Sequence, residues 1–164
     1  MSTSPIEVQS LPGTDSSVQP KKIANDFSIQ VATVNGSGSQ SANSILLRSI
    51  FNMGVPVSGK NLFPSNIAGL PTWYFIRASR DGWVARKSDV DLLIAMNLET
   101  VHEDIQKLPA GAAVIFDDIF NITERRSDIT YYPVPFDRLV AATGAEPRRS
   151  AVHFDDRSGA RPAR

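Results

Sequence analysis

The stretch Asn35-Gly36-Ser37-Gly38-Ser39-Gln40-Ser41 has the residue types of an anion site. It follows an apolar run of strand character and opens a helical pattern. Glycines let the backbone turn tightly, and the N–H groups of a first helical turn point outward, where the helix dipole favours negative charge. Gly36, Gly38, Ser39, Gln40 and Ser41 are therefore candidate binding residues. The charge pattern agrees. No carboxylate stands between Asp26 and Asp81, whereas Arg48, Lys60, Arg77 and Arg80 are all present. A segment with only positive charge beside a glycine turn points to a negatively charged ligand.

The spacing Gly36-x-Gly38-x-x-Ser41 departs from the dinucleotide fingerprint, because its third glycine is a serine. The acidic residue that the fingerprint needs for the ribose hydroxyls is also missing from the Lys60 region. A nicotinamide or flavin dinucleotide is thus disfavoured, and a phosphate or carboxylate remains. The bland alternative is a tight strand-to-helix turn that packs and binds nothing. The loop Phe63-Pro64-Ser65-Asn66-Ile67-Ala68-Gly69-Leu70-Pro71 offers Ser65 and Asn66 as hydrogen-bonding groups, or is a plain connector. Asn97 closes the most apolar segment of the chain, where ligands sit in open α/β sheets; its simpler role is to cap the next helix. Asp117 and Asp118 end another apolar run, but adjacent strand residues face opposite ways, which argues for a solvated strand end. Arg125 and Arg126 read as an exposed loop pair, and His102 as a surface residue. No nucleophile stands beside a base, so no residue is assigned a catalytic role.

The elements that must position these groups follow from periodicity. Residues 1–25 are rich in Ser, Pro, Thr and Gln and read as a disordered tail. Residues 27–34 alternate as a strand. From Ser39 the period becomes helical, with Ala42, Ile45, Leu46, Ser49, Ile50 and Met53 on one face, and Gly54 and Pro56 stop the helix. Residues 55–58 make a short strand. Residues 72–78 form an aromatic strand, and Asp81-Gly82 predicts a hairpin with residues 83–86 returning. Residues 90–96 and 112–116 have the continuous apolar character of buried parallel strands, with a helix over 98–108 between them. A strand over 129–134 and a helix over 136–142 complete the pattern. The alternation predicts an α/β fold of three layers: a mostly parallel sheet, helices on both faces and an antiparallel hairpin at one edge. The ordered domain is placed at 26–144. Residues 145–164, rich in Arg, Ala, Ser and Pro, read as a disordered or aberrant tail.

Composition excludes several classes. The 164 residues carry a formal net charge of zero, against the basic excess of a nucleic-acid-binding protein. With no cysteine there is neither a disulfide nor a thiolate-ligated metal or iron–sulfur cluster, and His102 and His153 are the only histidines. No apolar run approaches membrane-spanning length, and the N-terminus lacks a signal pattern, so the expected location is cytoplasmic. Taken alone, the residues describe a standalone phosphate- or nucleotide-binding α/β module with a regulatory or assembly role.

Four motifs together carry a resemblance. Gly36-Ser-Gly-Ser-Gln-Ser41 opens a helix, and Phe63-Pro-Ser-Asn-Ile-Ala-Gly-Leu-Pro71 precedes an aromatic strand. Val90-Asp-Leu-Leu-Ile-Ala-Met-Asn97 leads into a helix, and Leu108-Pro-Ala-Gly-Ala-Ala-Val-Ile-Phe-Asp117 follows it. In this order they resemble the gamma domain of 2-oxoacid:acceptor oxidoreductases, above all the one preceding the alpha domain in fused 2-oxoglutarate:ferredoxin-type alpha subunits. The resemblance implies oxidative decarboxylation of a 2-oxoacid such as 2-oxoglutarate or pyruvate to an acyl-CoA, with electrons passing to ferredoxin. It implies coenzyme A on the side of this domain. Thiamine diphosphate, magnesium and iron–sulfur clusters would lie in partner alpha and thiamine-binding beta domains or subunits. Gly36, Gly38 and Gln40 match the family's glycine turn, while Ser39 and Ser41 replace glycines. In the loop, Pro64, Ser65, Gly69 and Pro71 match, but Ala68 stands where the family has an arginine. The resemblance fades near Gly144, which suggests a fragment, inactive alone.

Overall fold

The computed structural model describes residues 25–64, 67–122 and 126–144. The tails expected at the two ends, together with Ser65, Asn66 and Arg125, lie outside the described residues, apart from Asn25. Among the described residues the chain forms β1 (Asp26–Val34), α1 (Ser39–Asn52), β2 (Val57–Leu62), β3 (Pro71–Ser79), β4 (Leu92–Ala95), α2 (Val101–Gln106), β5 (Ala113–Asp117), β6 (Thr130–Val134) and α3 (Phe136–Ala142).

All these strands join one sheet in the order β2-β3-β1-β4-β5-β6. β1, β4, β5 and β6 are mutually parallel, and β3 runs antiparallel to both β1 and β2. The fold is therefore α/β, with antiparallel pairing confined to one edge.

Side-chain alternation along the strands builds two cores. On one face Ile29 and Val31 of β1 and Ile76 and Ala78 of β3 pack with Ile50 of α1. On the other, Ala32, Leu93, Ala95, Val114 and Phe116 pack with Val101 and Ile105 of α2. β4 supplies Leu92 and Ile94 to the first core and Leu93 and Ala95 to the second. A strand covered on both faces has no position for a polar residue, hence its unbroken apolar sequence. Ile76, Leu93 and Val114 are fully buried, each contributing about 1.5–3 kcal/mol.

Three local expectations are corrected. The edge hairpin is β2–β3, and Trp83–Arg86 is not a strand. Both edges of β3 are already taken, by β1 and β2, so no hydrogen-bonding edge remains for the chain after Gly82. That segment instead crosses the sheet face: Ser58 Oγ donates to the Val84 carbonyl at 2.9 Å, and the Arg86 guanidinium lies 4.6 Å over the Phe75 ring.

Helix α1 is rotated from its expected face by roughly one residue's turn (~100°). Asn43 and Ile50 are buried and Leu46 and Leu47 half-buried, while Ile45 and Met53 are 66% and 78% exposed. Counting apolar residues takes Ile45 and Met53 into the stripe and leaves Asn43 outside it. Helix α2 is shorter than the expected 98–108, since residues 98–100 form a turn and Thr100 stands at the N-cap position.

Candidate functional site

The turn between β1 and α1 needs its glycines. Gly36 and Gly38 have φ of 85° and 81°, a region that costs an L side chain strain. The turn is tied to the loop before β3. The Asn35 N–H donates to the Leu70 carbonyl at 2.8 Å, and the Gly69 N–H donates to the Asn35 carbonyl at 2.9 Å. The Asn35 side-chain amide donates to the Ile67 carbonyl at 3.2 Å. Two motifs far apart in sequence are thereby placed side by side, at the C-terminal end of β1, where ligands bind in open α/β sheets.

Beside the turn is a cavity of about 300 Å³. Gly36, Gly38, Ser39 and Gln40 line it, as do Thr33, Asn43, Asn61, Thr72 and Tyr74. Thr33 and Ser39 share a hydroxyl–hydroxyl hydrogen bond of 2.9 Å, which ties the end of β1 to the first residue of α1. The Thr72 hydroxyl lies 3.3 Å from Asn61 Oδ1 and 3.2 Å from the Leu62 carbonyl, as a donor. Asn43, only 6% exposed, comes from the inner face of α1. The wall is thus a set of hydroxyl and amide groups with both donor and acceptor capacity.

Other predicted residues fall outside this cavity. Ser41 is exposed, and its N–H donates to the Gly38 carbonyl at 3.2 Å. Asn97, 3% exposed, accepts from the Glu99 N–H at 3.0 Å, and its amide reaches the Thr33 carbonyl at 3.5 Å. It braces β1 against the start of α2. Ser65 lies outside the described residues. Thr33, Asn43, Asn61, Thr72 and Tyr74 are lining residues that sequence reasoning missed. The one visible signal was Asn43, a polar residue one turn after Ser39 on the helix's inner stripe.

The positive field expected around the turn is not there. Arg77 is buried at the opposite end of β1, where it pairs with Asp26 and donates to the Ala78 carbonyl at 2.7 Å. Arg80 pairs with Asp81, Arg48 is on the exposed side of α1, and Lys60 points to the opposite sheet face. Alternation along β2 and β3 sends Lys60 and Arg77 away from α1, a consequence of register that charge spacing does not reveal. The cavity wall carries no formal charge.

Arg126 is also not a plain surface residue. Its guanidinium donates to the carbonyls of Ile105, Gln106 and Leu108, at 3.0, 3.3 and 2.8 Å, and pairs with Asp128 at 2.6 Å. It satisfies the free carbonyls that end α2. At the end of β5, burial is the chief reason that the Asp117 carboxyl is pushed above its usual range. The neighbouring charges of Asp137 and Asp118 add to the shift, and the Ile119 N–H opposes it. No group of three or more His, Cys, Asp or Glu suited to a metal ion occurs among the described residues. Nor is any helix among them long and apolar enough to cross a membrane.

A mixed sheet with helices on both faces, and a glycine-opened helix beside a polar cavity, defines an α/β domain. Residues 28–154 match the family model described as pyruvate ferredoxin/flavodoxin oxidoreductase, and the chain belongs to that family. Its curated relatives include the alpha subunit of 2-oxoacid:ferredoxin oxidoreductase 2 of Aeropyrum pernix, 27% identical over 92 residues. That match takes in 56% of this chain and 14% of the relative, so the chain spans about a seventh of its length. Among solved structures, the 2-oxoglutarate:ferredoxin oxidoreductase of Magnetococcus marinus, with 2-oxoglutarate, coenzyme A and succinyl-CoA bound, superposes with a TM-score of 0.65 at 23% identity. The superposition covers 75% of this chain and 22% of that one. The gamma subunit of the keto/oxoacid ferredoxin oxidoreductase of Geobacter sulfurreducens gives 0.59 at 13% identity, over 73% of this chain and 68% of that one. These two share the fold.

Proposed function

We propose that residues 26–144 are the gamma-type domain of a 2-oxoacid:ferredoxin oxidoreductase, and that the cavity beside Gly36 and Gly38 holds part of coenzyme A. The observation that carries this reading is the pair of left-handed glycines opening α1 over a neutral polar cavity. First-turn N–H groups suit a phosphate, and the Asn43, Asn61 and Thr72 side chains suit amide or hydroxyl groups. A cavity of about 300 Å³ takes only a portion of coenzyme A, so the remainder would lie against another domain or subunit. The chain has no cysteine for an iron–sulfur cluster. By the family resemblance, thiamine diphosphate, magnesium and the clusters would belong to the alpha and thiamine-binding beta partners, which would also pass electrons to ferredoxin. The domain would work in the cytoplasm and be inactive alone.

Calorimetric titration of the chain with coenzyme A, ATP and NAD tests this. Coenzyme A should bind most tightly, and Gly38→Asp should abolish binding, because it adds strain and a negative charge at the turn. Preference for ATP or NAD, lost in the same variant, would favour a standalone nucleotide-binding module instead. Oxidation of 2-oxoglutarate by the chain alone, with coenzyme A and an electron acceptor, would overturn the expected inactivity.

A further inference from the structure

A second cavity lies on the other face of the sheet, about 20 Å along β1 from the glycine turn, by the rise of a strand. It measures about 200 Å³ and sits between the β1–β3–β2 surface and the segment that crosses it after Gly82. Register lines up Ser28, Arg77 and Ser58 across the three strands, with Phe75 and Lys60 one step further along the same face. Arg86 closes the row from above, stacked on Phe75.

Three cations therefore line this cavity: Lys60, Arg77 and Arg86. Asp26 neutralises Arg77. Among the described residues Lys60 and Arg86 pair with no carboxylate, and Asp91, which accepts from the Ser28 N–H, is not in the lining. Two polar atoms here are buried without a hydrogen-bond partner among the described residues: Ser28 Oγ, in a residue 4% exposed, and Arg77 Nε, in a residue 7% exposed. Both are donors, and burying a donor without a partner is costly. Unused donors together with uncompensated positive charge describe a site that lacks an acceptor. Phe75, Ile76 and Val84 supply apolar wall beside it.

We propose that this cavity binds a small oxyanion, a carboxylate or a phosphate, held by Lys60 and Arg86 with Ser28 Oγ and Arg77 Nε donating beneath. The site is separate from the glycine-turn cavity and does not depend on the function proposed above.

The test is a titration of the full chain with sodium phosphate and, separately, sodium acetate. Amide shifts are followed by ¹⁵N NMR at constant ionic strength held with sodium chloride. Saturable shifts at Ser28, Ser58, Lys60 and Val84 are expected with at least one of the two anions. The better of the two identifies the headgroup. Lys60→Gln and Arg86→Gln should each weaken binding about tenfold, the loss typical of one charge-assisted hydrogen bond. Both residues are exposed and the variants should fold, which the NMR spectrum reports directly. Gly38→Asp should leave the binding unchanged. Shifts that do not saturate with either anion, that gather at Gly36 and Gly38, or that survive intact in the double variant would overturn the site.

Discussion

The Trp73 indole N–H donates to both carboxylate oxygens of Asp104, at 3.0 and 3.1 Å. This joins β3 to α2 over the top of β1, whose Gln30 side chain donates to the same carboxylate at 3.3 Å. Asp104 is 4% exposed, so these bonds stand in for its lost hydration. Asp104→Ala leaves the indole and the Gln30 amide without an acceptor. It should destabilise the domain by about 2–3 kcal/mol in urea unfolding. Asp104→Asn, which keeps one acceptor oxygen, should cost less. Fluorescence gives a local readout, since Trp83 is largely exposed and the emission of Trp73 should shift to the red in the alanine variant.

Arg126 holds the end of α2 through three carbonyls. Arg126→Ala should lower Tm by about 5 °C or more, with loss of hydrogen-exchange protection concentrated in α2. Arg126→Lys should recover little, because one ammonium cannot reproduce a planar fork that reaches three carbonyls and Asp128 together. Equal protection of α2 in the alanine variant and the parent would sink this assignment.

Gly59 has no space for a side chain. A Cβ there would overlap the Tyr74 hydroxyl and Leu47 Cδ1, and would lie 2.9 Å from Tyr74 Cζ. Since Tyr74 lines the glycine-turn cavity, Gly59→Ala should push its ring and weaken coenzyme A binding without touching the turn itself. The expected cost is about 1–3 kcal/mol in stability. Calorimetry of the variant, paired with its melting curve, separates the two effects. Binding equal to that of the parent would remove Tyr74 from the site.

Burial raises the Asp117 carboxyl above its ordinary value of 3.8. The native state then holds this proton more strongly than the unfolded chain. The contribution to stability is largest below that ordinary value and is lost as pH rises through the raised one. Once the carboxyl ionises, its burial counts against the folded state. Asp117→Asn keeps an acceptor for the Ile119 N–H, 3.3 Å away, and removes the charge. It should make the domain more stable at pH 7 than the parent and flatten the acidic part of its stability profile above the ordinary carboxylate value. A variant less stable than the parent at pH 7 would contradict this.

Much of the fold was legible because it rests on local periodicity. The apolar runs at β4 and β5, the helical period from Ser39 and the stop at Gly54 each depend on neighbours a few residues away. The returning strand after Asp81-Gly82 was not a sound inference, because that dipeptide turns the chain whether or not a strand edge is free to receive Trp83–Arg86. Of the candidate site, Gly36 and Gly38 were visible, since a positive φ restricts residue type at the position itself. Asn61, Thr72 and Tyr74 were not, because they enter the cavity through strand pairing rather than sequence proximity.

By itself the sequence determined the class of fold, the glycine turn and the likeness to the oxidoreductase family, since spacing and residue type carry these. Only the tertiary structure decided where the charge goes. Arg48, Lys60, Arg77 and Arg80 read in sequence as one positive field beside the turn. Alternation and register instead send Lys60 and Arg77 to the far sheet face, while Arg48 and Arg80 stay exposed. A strand turns successive side chains to opposite faces and register sets which of them meet, so the sign of a local field is a property of the assembled sheet.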